Sequence, residues 1–252
     1  MSTLEALARR QWRDYCAREP GTCFADPGFA LDLRQAYALL AEVSALRVAA
    51  GDSVIGYKVG CTGPGTTAQF GMAGPIRGYL YASEVRRTGV TLDPAAFAQL
   101  AIEGEMAVRI GEDGEIAAAF PVIELHHFVF RAPRKTLAEL VANNGLNAGI
   151  VLPESAWLSS SVHLRGGARL GVRIGDRCAG AADPWPLAGG AAASVDWLRA
   201  HLFEFDLALR PGDIVLAATP LGLYRVDPGD AVTVLLDDVP VVRCMVAPNA
   251  DG

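Results

Sequence analysis

Two glutamates stand two residues apart in an otherwise apolar run. The run Ile102-Glu103-Gly104-Glu105-Met106-Ala107-Val108-Arg109-Ile110 predicts a β-strand. Because side chains alternate along a strand, Glu103 and Glu105 project to the same side, about 6–7 Å apart. Burying them uncompensated would cost on the order of several kcal/mol, so they require a cation, a proton or an Arg or Lys partner. A hard divalent metal is the simplest interpretation, and a solvated acidic face on a half-exposed strand is the alternative.

Lysine is rare in this chain, which makes each lysine informative. Of 22 basic residues only Lys58 and Lys135 are lysines, and the rest are arginines. Lys58 lies within the apolar run 54–60, which also predicts a strand. Lysine alone offers a compact ammonium with a tunable pKa, so Lys58 is a candidate catalytic residue. A structural ion pair with one of the glutamates is the alternative.

Composition narrows the classes of function. With 252 residues, 51% apolar and 20% charged, the chain has an ordinary globular composition. The net charge of −6 argues against a nucleic-acid partner. No apolar run approaches the roughly 20 residues of a membrane span, and residues 1–10 lack the apolar core of a signal peptide. We therefore expect a cytoplasmic protein without a membrane partner.

The cysteines do not predict a metal or disulfide framework. They are five in number and lack C-x-x-C spacing. We interpret them as small buried hydrophobic residues, and they are Cys16, Cys23, Cys61, Cys178 and Cys244.

The elements that position the candidate residues fall into two regions. Residues 1–50 form a predicted helical cap, with helices over 4–16 and 32–47. Residues 51–252 read as short strands, which are 54–60, 78–81, the Glu103 strand, 116–121, 163–172, 213–218, 231–236 and 241–246. Two more helices are predicted over 137–143 and 192–203, and loops over 63–65 and 187–190. The predicted class is α+β, a single domain with a rolled, mostly antiparallel sheet.

Several segments resemble one family in their order along the chain. They are Gln35-Ala36-Tyr37, Gly56-Tyr57-Lys58-Val59-Gly60-Cys61-Thr62, Glu103 with Glu105, Pro121-Val122-Ile123-Glu124, Leu140-Val141-Ala142-Asn143-Asn144-Gly145, Trp197-Leu198, Arg210-Pro211-Gly212-Asp213 and Pro228-Gly229-Asp230. Over residues 30–246 the chain resembles the 2-oxopent-4-enoate hydratase and 4-oxalocrotonate decarboxylase group of the fumarylacetoacetate hydrolase superfamily. The resemblance implies a β-roll domain of that type.

The resemblance also implies a metal site and a reaction. Mg²⁺ or Mn²⁺ would be held by Glu103, Glu105 and Glu124, and oxygen-only ligands suit such cations. A small 2-oxo or 2-hydroxydienoate acid would chelate the metal, and Lys58 would stabilise charge or shuttle a proton. The implied activity is that of a lyase, a hydratase or decarboxylase working through a metal-bound dienolate.

The chain departs from the group at two places. The segment between Glu105 and Glu124 is shorter, and Pro75-Ile76-Arg77-Gly78 lacks an acidic residue that the group often has there. Arg77 is then a candidate for binding a substrate carboxylate, with a solvated turn arginine as the alternative. His126 and His127 follow Glu124 as further catalytic candidates, although a core or surface histidine is commoner.

One segment leans toward the superfamily's hydrolases. Ala218-Thr219-Pro220-Leu221-Gly222 resembles their G-T-P-x-G loop, so Thr219 is a candidate hydrogen-bond donor to substrate, with a turn residue as the alternative. Those hydrolases activate water with a histidine–glutamate pair ahead of the metal strand, and no histidine precedes His126. We favour the lyase over an acylpyruvate-type C–C hydrolase.

A second class of function remains open as an alternative. The chain could be a non-catalytic relative that binds a keto acid, or the partner subunit of a hydratase–decarboxylase complex. We expect a homo-oligomer, because rolled sheets with apolar edges associate readily and the family resemblance points the same way.

Overall fold

The computed structural model describes residues 3–62, 64–71, 74–161 and 167–248. The α-helices in these ranges are α1 (Thr3–Cys16), α2 (Leu33–Ala49), α3 (Pro64–Phe70), α4 (Leu137–Ala142) and α5 (Gly190–Phe203). The strands are β1 (Val54–Gly60), β2 (Ile76–Tyr81), β3 (Val85–Arg87), β4 (Val90–Leu92), β5 (Leu100–Ile110), β6 (Ile116–His127), β7 (Asn147–Leu152), β8 (Leu170–Ile174), β9 (Arg177–Ala182), β10 (Ile214–Leu216), β11 (Tyr224–Arg225), β12 (Ala231–Leu236) and β13 (Val239–Val246).

The strands form two sheets that share one hydrophobic core. The larger has the order β2-β1-β10-β5-β6-β7-β3, with β11 beside β5, and the smaller has the order β4-β13-β12-β8-β9. Most neighbours are antiparallel, and β1/β10, β3/β7 and β4/β13 are parallel. The sheets approach closely at Gly104, where a Cβ would lie 2.3 Å from a methyl of Val172. The predicted α+β class with a mostly antiparallel sheet is confirmed.

The N-terminal helices begin and end close to the predicted residues. Asp32 caps α2, since its carboxylate accepts from the Gln35 backbone (2.7 Å) while the Gln35 side chain accepts from the Asp32 backbone (2.9 Å). Tyr37, Leu39 and Leu40 on α2 are buried in the common core. The division of the chain into a cap over 1–50 and a catalytic region over 51–252 stays a prediction.

The remaining differences from the predicted elements have local causes. The strand predicted over 116–121 continues through Pro121 to His127, because β5 pairs with it along its whole length. The loop predicted over 63–65 overlaps the short helix α3. Of the strand predicted over 163–172, residues 163–166 lie outside the described residues, and β8 begins only at Leu170.

Five strands were not predicted, namely β3, β4, β7, β9 and β11. Three of them have two or three residues, too few for an alternating pattern to register, and β9 has the sequence RCAGAA with few β-formers.

The cysteine prediction is partly wrong. Cys23 and Cys244 are buried as expected and Cys61 is half-buried, but Cys16 and Cys178 are exposed because they lie at the end of α1 and on the edge strand β9. Among the described helices, none combines the length and apolar character of a bilayer span.

Candidate active site

The β5–β6 hairpin brings together the residues at the centre of the site. Its register sets Glu103 directly opposite Glu124. His126 is two residues after Glu124 and therefore lies on the same face of β6. Ligand atoms of these three side chains lie within 4.8 Å of one another. The His126 Nε2 atom is 3.3 Å from Glu103 Oε2 and 3.4 Å from Glu124 Oε2.

Glu105 adds a third carboxylate to this region. It lines the same cavity as Glu103 and Glu124, is 1% exposed, and its Oε1 has no hydrogen-bond partner in the described part of the chain. Burial, followed by the charges of Glu124 and Glu103, raises the pKa of Glu105 well above its ordinary value. Such an orphaned acid group in a cluster of acids is the environment that a bound cation would relieve.

Lys58 supplies the positive charge of the cluster. Its ammonium nitrogen lies 2.7 Å from Glu124 Oε1 and donates to the Gly145 carbonyl at 3.1 Å. Burial would lower the pKa of Lys58, but the carboxylates of Glu124 and Glu103 outweigh it and raise the pKa, so the side chain stays charged. Asn147 also donates to Glu124 Oε1 at 2.7 Å.

The charges on β6 are set by the same contacts. Burial would raise the pKa of Glu124, but Lys58 and His126 outweigh burial and lower it. For His126, burial would lower the pKa, and the Glu124 and Glu103 carboxylates raise it. Glu124 is therefore an ionised carboxylate that lies beside the Lys58 ammonium and the His126 imidazole.

A strained loop presents the carbonyl that holds Lys58. Asn144, Gly145 and Leu146 all have positive φ, at 59°, 60° and 65°. The Asn144 side chain fixes the loop to β2, accepting from the Tyr79 backbone N–H (2.6 Å) and donating to its carbonyl (2.9 Å). Gly78 allows this approach, because a Cβ there would lie 2.7 Å from the Asn144 carbonyl oxygen. Strain of this kind concentrates at functional sites.

The cavity opens where the larger sheet splits. β10 joins β1 to β5 only as far as Leu216. Next to the end of this pairing lies a cavity of about 280 Å³, lined among others by Val59, Gly60 and Glu103. A second cavity of about 290 Å³ shares Gly60 and Glu103 with the first and is also lined by Lys58 and His126.

Thr219 lines the first cavity, as a substrate-binding residue would. Its hydroxyl donates to the Gly104 carbonyl at 2.7 Å and accepts from the Leu221 backbone at 3.1 Å. A hydroxyl has one proton, so this hydrogen bond ties the loop to β5 and occupies the donor that was predicted for substrate.

Arg77 is the predicted site residue that the structure places elsewhere. In the β1–β2 register Arg77 is opposite Val59, one position from the Lys58–Gly78 pair, and so its side chain is on the other face of the sheet. It lines neither cavity, is fully buried, and has no hydrogen-bond acceptor in the described ranges. Its guanidinium carbon lies 4.8–6.0 Å from four ring centroids, those of Tyr37, Tyr57, Tyr79 and Phe205. It is therefore not a solvated turn arginine either.

The two histidines after Glu124 have different environments. His126 joins the acidic cluster, and the Glu-x-His spacing on a strand is the signal that places it beside Glu124. His127 points to the other face, where its Nδ1 accepts from the Ala98 backbone at 2.9 Å. Burial and the neighbouring positive charges, His126 first, lower the pKa of His127 to about 4, so it is a neutral core residue.

The donor set fits a hard divalent cation. Carboxylate oxygens from Glu103, Glu105 and Glu124 are ligands that Mg²⁺ and Mn²⁺ prefer, and His126 adds one imidazole nitrogen. With Glu105 ionised as a ligand, three carboxylates and the Lys58 ammonium would leave two negative charges, before any charge on His126, and a divalent cation would cancel them.

Several known proteins have sequences or folds similar to those of this chain. No family model matches the chain. The chain is 26% identical over 227 residues to a 2-keto-4-pentenoate hydratase of Paraburkholderia phymatum, covering 84% of this chain and 85% of that protein. Its fold matches 4-oxalocrotonate decarboxylase from Pseudomonas putida G7, complexed with magnesium and adipate, with a TM-score of 0.84 at 21% identity over 96% of this chain and 97% of that one.

A more distant match is fumarylpyruvate hydrolase from Pseudomonas aeruginosa in complex with Mn²⁺ and pyruvate, with a TM-score of 0.57 at 17% identity over 77% of this chain and 89% of that one. The fold is thus of the fumarylacetoacetate hydrolase type. Within that type, the chain is similar to the hydratase and decarboxylase group, which confirms the resemblance found in the sequence motifs.

Proposed function

We propose that this protein is a divalent-metal-dependent lyase that acts on a small 2-oxo or 2-hydroxydienoate acid, as a hydratase or a decarboxylase. The observation that carries the proposal is the cluster of Glu103, Glu124 and His126, with the Lys58 ammonium 2.7 Å from Glu124, at the edge of a cavity. The similarity to a hydratase and to a decarboxylase supports the same class of reaction.

Glu103, Glu105 and Glu124 would hold Mg²⁺ or Mn²⁺, with His126 beside them. A cation bound there supplies Lewis acidity toward the carboxylate and 2-oxo oxygens of the substrate. The protein's own part is to fix the ligands: Glu124 is held by Lys58 and Asn147 and is 1% exposed, so its geometry is preorganised.

Lys58 is the residue placed to handle charge and protons. Two of its three N–H donors go to Glu124 and the Gly145 carbonyl. The third has no partner among the described residues and can donate to a substrate that enters the cavity the side chain lines. A charged ammonium in this buried position stabilises negative charge that develops on the substrate and can deliver a proton to an adjacent carbon.

The wall of the second cavity is mostly apolar. Around Lys58 and His126 the second cavity is lined largely by apolar side chains, among them Ile76, Leu140 and Leu146. Apolar side chains around Lys58 lower the local dielectric constant and so strengthen its electrostatic effect. Assembly into a homo-oligomer, alone or with a partner subunit, stays a prediction.

An ultraviolet assay tests the proposal. Purified protein with Mg²⁺ or Mn²⁺ is incubated with 2-hydroxypenta-2,4-dienoate, 2-oxohex-3-enedioate and an acylpyruvate, and the products are identified. Formation of a 4-hydroxy-2-oxo acid identifies a hydratase, and release of CO₂ a decarboxylase, each lost with excess chelator. Cleavage of the acylpyruvate alone would instead support the hydrolase, and no metal-dependent change with any substrate would overturn the proposal in favour of a binding or partner subunit.

A further inference from the structure

Both lysines of the chain line the same cavity. Lys58 is 4% exposed and lies beside the acidic cluster, whereas Lys135 is exposed. The cavity of about 290 Å³ therefore extends from the buried cluster to the protein surface. Its size suits a small ligand, since pockets for drug-sized molecules have volumes of roughly 300–1,000 Å³.

Lys135 contacts two phenylalanines in the segment that follows β6. Alternate positions of the run 124–130 are occupied by Glu124, His126, Phe128 and Phe130. The last three of these residues line the cavity. The Lys135 ammonium lies 5.0 Å from the Phe128 ring centroid and 4.8 Å from that of Phe130. Such cation–π contacts hold the ammonium in place without neutralising its charge.

The surroundings of Lys135 are positive. No ion pair links Lys135 to a carboxylate in the described part of the chain. The guanidinium carbon of Arg225 lies 5.2 Å from the centroid of Phe128, which is one of the two rings that Lys135 contacts. Two cations thus share one phenylalanine, and neither is paired with a carboxylate there. An anion is the ligand that this outer end of the cavity would attract.

We propose that Lys135, seated on Phe128 and Phe130, binds a second anionic group at the far end of a 2-oxo acid. This inference rests on the proposed function, in which the 2-oxo acid end lies at the Glu103–Glu124–His126 cluster. The substrate class is then a dicarboxylic 2-oxo acid with an apolar middle. A ligand with an apolar end would gain nothing from an ammonium at that position.

Binding of two matched acids tests the inference without depending on turnover. 2-Oxohexanedioate and 2-oxohexanoate have the same chain length and 2-oxo acid end, and differ only at the far end. Calorimetry with the Mn²⁺-loaded protein should show about tenfold tighter binding of the diacid, the size expected for a charge-assisted contact. Lys135→Gln should abolish the preference and leave the affinity for 2-oxohexanoate within about twofold.

Arg134→Gln is the matched control, because Arg134 is exposed, adjacent, carries the same charge and does not line the cavity. It should keep the preference, and Lys135→Arg should keep most of it. Equal affinities in the parent protein, an unchanged preference in Lys135→Gln, or no binding of either acid would each overturn the inference. Diacid preference without turnover of any dienoate would refute only the proposed lyase, and turnover without a preference would refute only the role of Lys135.

Discussion

The Lys58 ammonium nitrogen lies 2.7 Å from Glu124 Oε1, and this contact joins β1 to β6, two strands of the larger sheet that are not neighbours. It fixes Glu124 as a charged ligand and leaves Lys58 with one unused donor. Glu103 and Glu105 have no lysine or arginine salt-bridge partner among the described residues, so a cation is the partner that they lack.

Glu103→Gln should weaken Mn²⁺ binding by at least about tenfold. Mutating a residue that only hydrogen-bonds to a metal ligand already lowers metal affinity by about 10–100-fold, and Glu103 is a proposed ligand itself. The amide keeps the size of the side chain but removes the charge that the cation requires. Titration calorimetry with Mn²⁺ measures the effect, and excess chelator should remove metal and activity together from the parent protein.

The control for this substitution is Glu112→Gln. Glu112 is exposed in the turn between β5 and β6, and its substitution by Gln changes the net charge by the same amount as Glu103→Gln. It should bind Mn²⁺ as the parent does. Unchanged Mn²⁺ affinity in Glu103→Gln would show that the proposed ligand set is wrong.

Lys58→Met should lower kcat by about 10²–10⁴-fold, the usual contribution of a positioned acid or base. Mn²⁺ affinity should change by less than about tenfold, because loss of the contact with Glu124 is offset by removal of a positive charge that repels the cation. Removing one partner of a buried ion pair destabilises a protein by about 3–5 kcal/mol, so the variant is compared with bound Mn²⁺, which compensates Glu124. Steady-state kinetics and calorimetry on the same preparation provide the measurement. If metal affinity falls as far as kcat, Lys58 has a structural role.

The alternating pattern around Glu103 was enough to predict a strand with two carboxylates on one face, and the motifs indicated Glu124 as their neighbour. The pairing of Glu103 with Glu124 depends on the β5–β6 register. The turn over residues 111–115 helps to set this register, and the motifs alone do not give it. The same limit applies to Gly145, whose carbonyl reaches Lys58 only through the tertiary fold.

Thr219 and Arg77 show what a motif leaves undetermined, which is the role of Thr219 and the position of Arg77. Thr219 does reach the cavity, yet its proton is used by Gly104, a residue 115 positions away in sequence. Arg77 stands in a turn-like sequence, but β2 pairs there with β1 and turns the side chain into an aromatic cluster. Contacts that join distant segments decide both outcomes.

Arg77→Met should leave KM for a dienoate within about twofold, because the side chain lines neither cavity. It should lower the free energy of unfolding by about 1–2 kcal/mol, since the contacts with four aromatic rings are lost. Denaturant titration and kinetics test both parts. Arg87→Met, at an exposed arginine on β3, is the control for net charge. A tenfold higher KM with unchanged stability would return Arg77 to the substrate site.

His201→Phe should reduce the loss of stability between about pH 6.5 and pH 4. Burial and the nearby Arg77 charge lower the pKa of His201 to about 4, and its ring stacks on Trp197 with centroids 4.9 Å apart. In the unfolded chain His201 binds a proton near the ordinary His pKa of about 6.5. In the folded protein His201 binds a proton only near pH 4. The unfolding free energy therefore falls as the pH drops through this window, and His201 contributes about 1–2 kcal/mol of the fall. Denaturant titrations at pH 7.5, 5.5 and 4.5 give the unfolding free energies of the parent protein and the variant. As the pH falls, the variant should become increasingly more stable relative to the parent. A difference that does not change with pH would show that His201 does not titrate on unfolding.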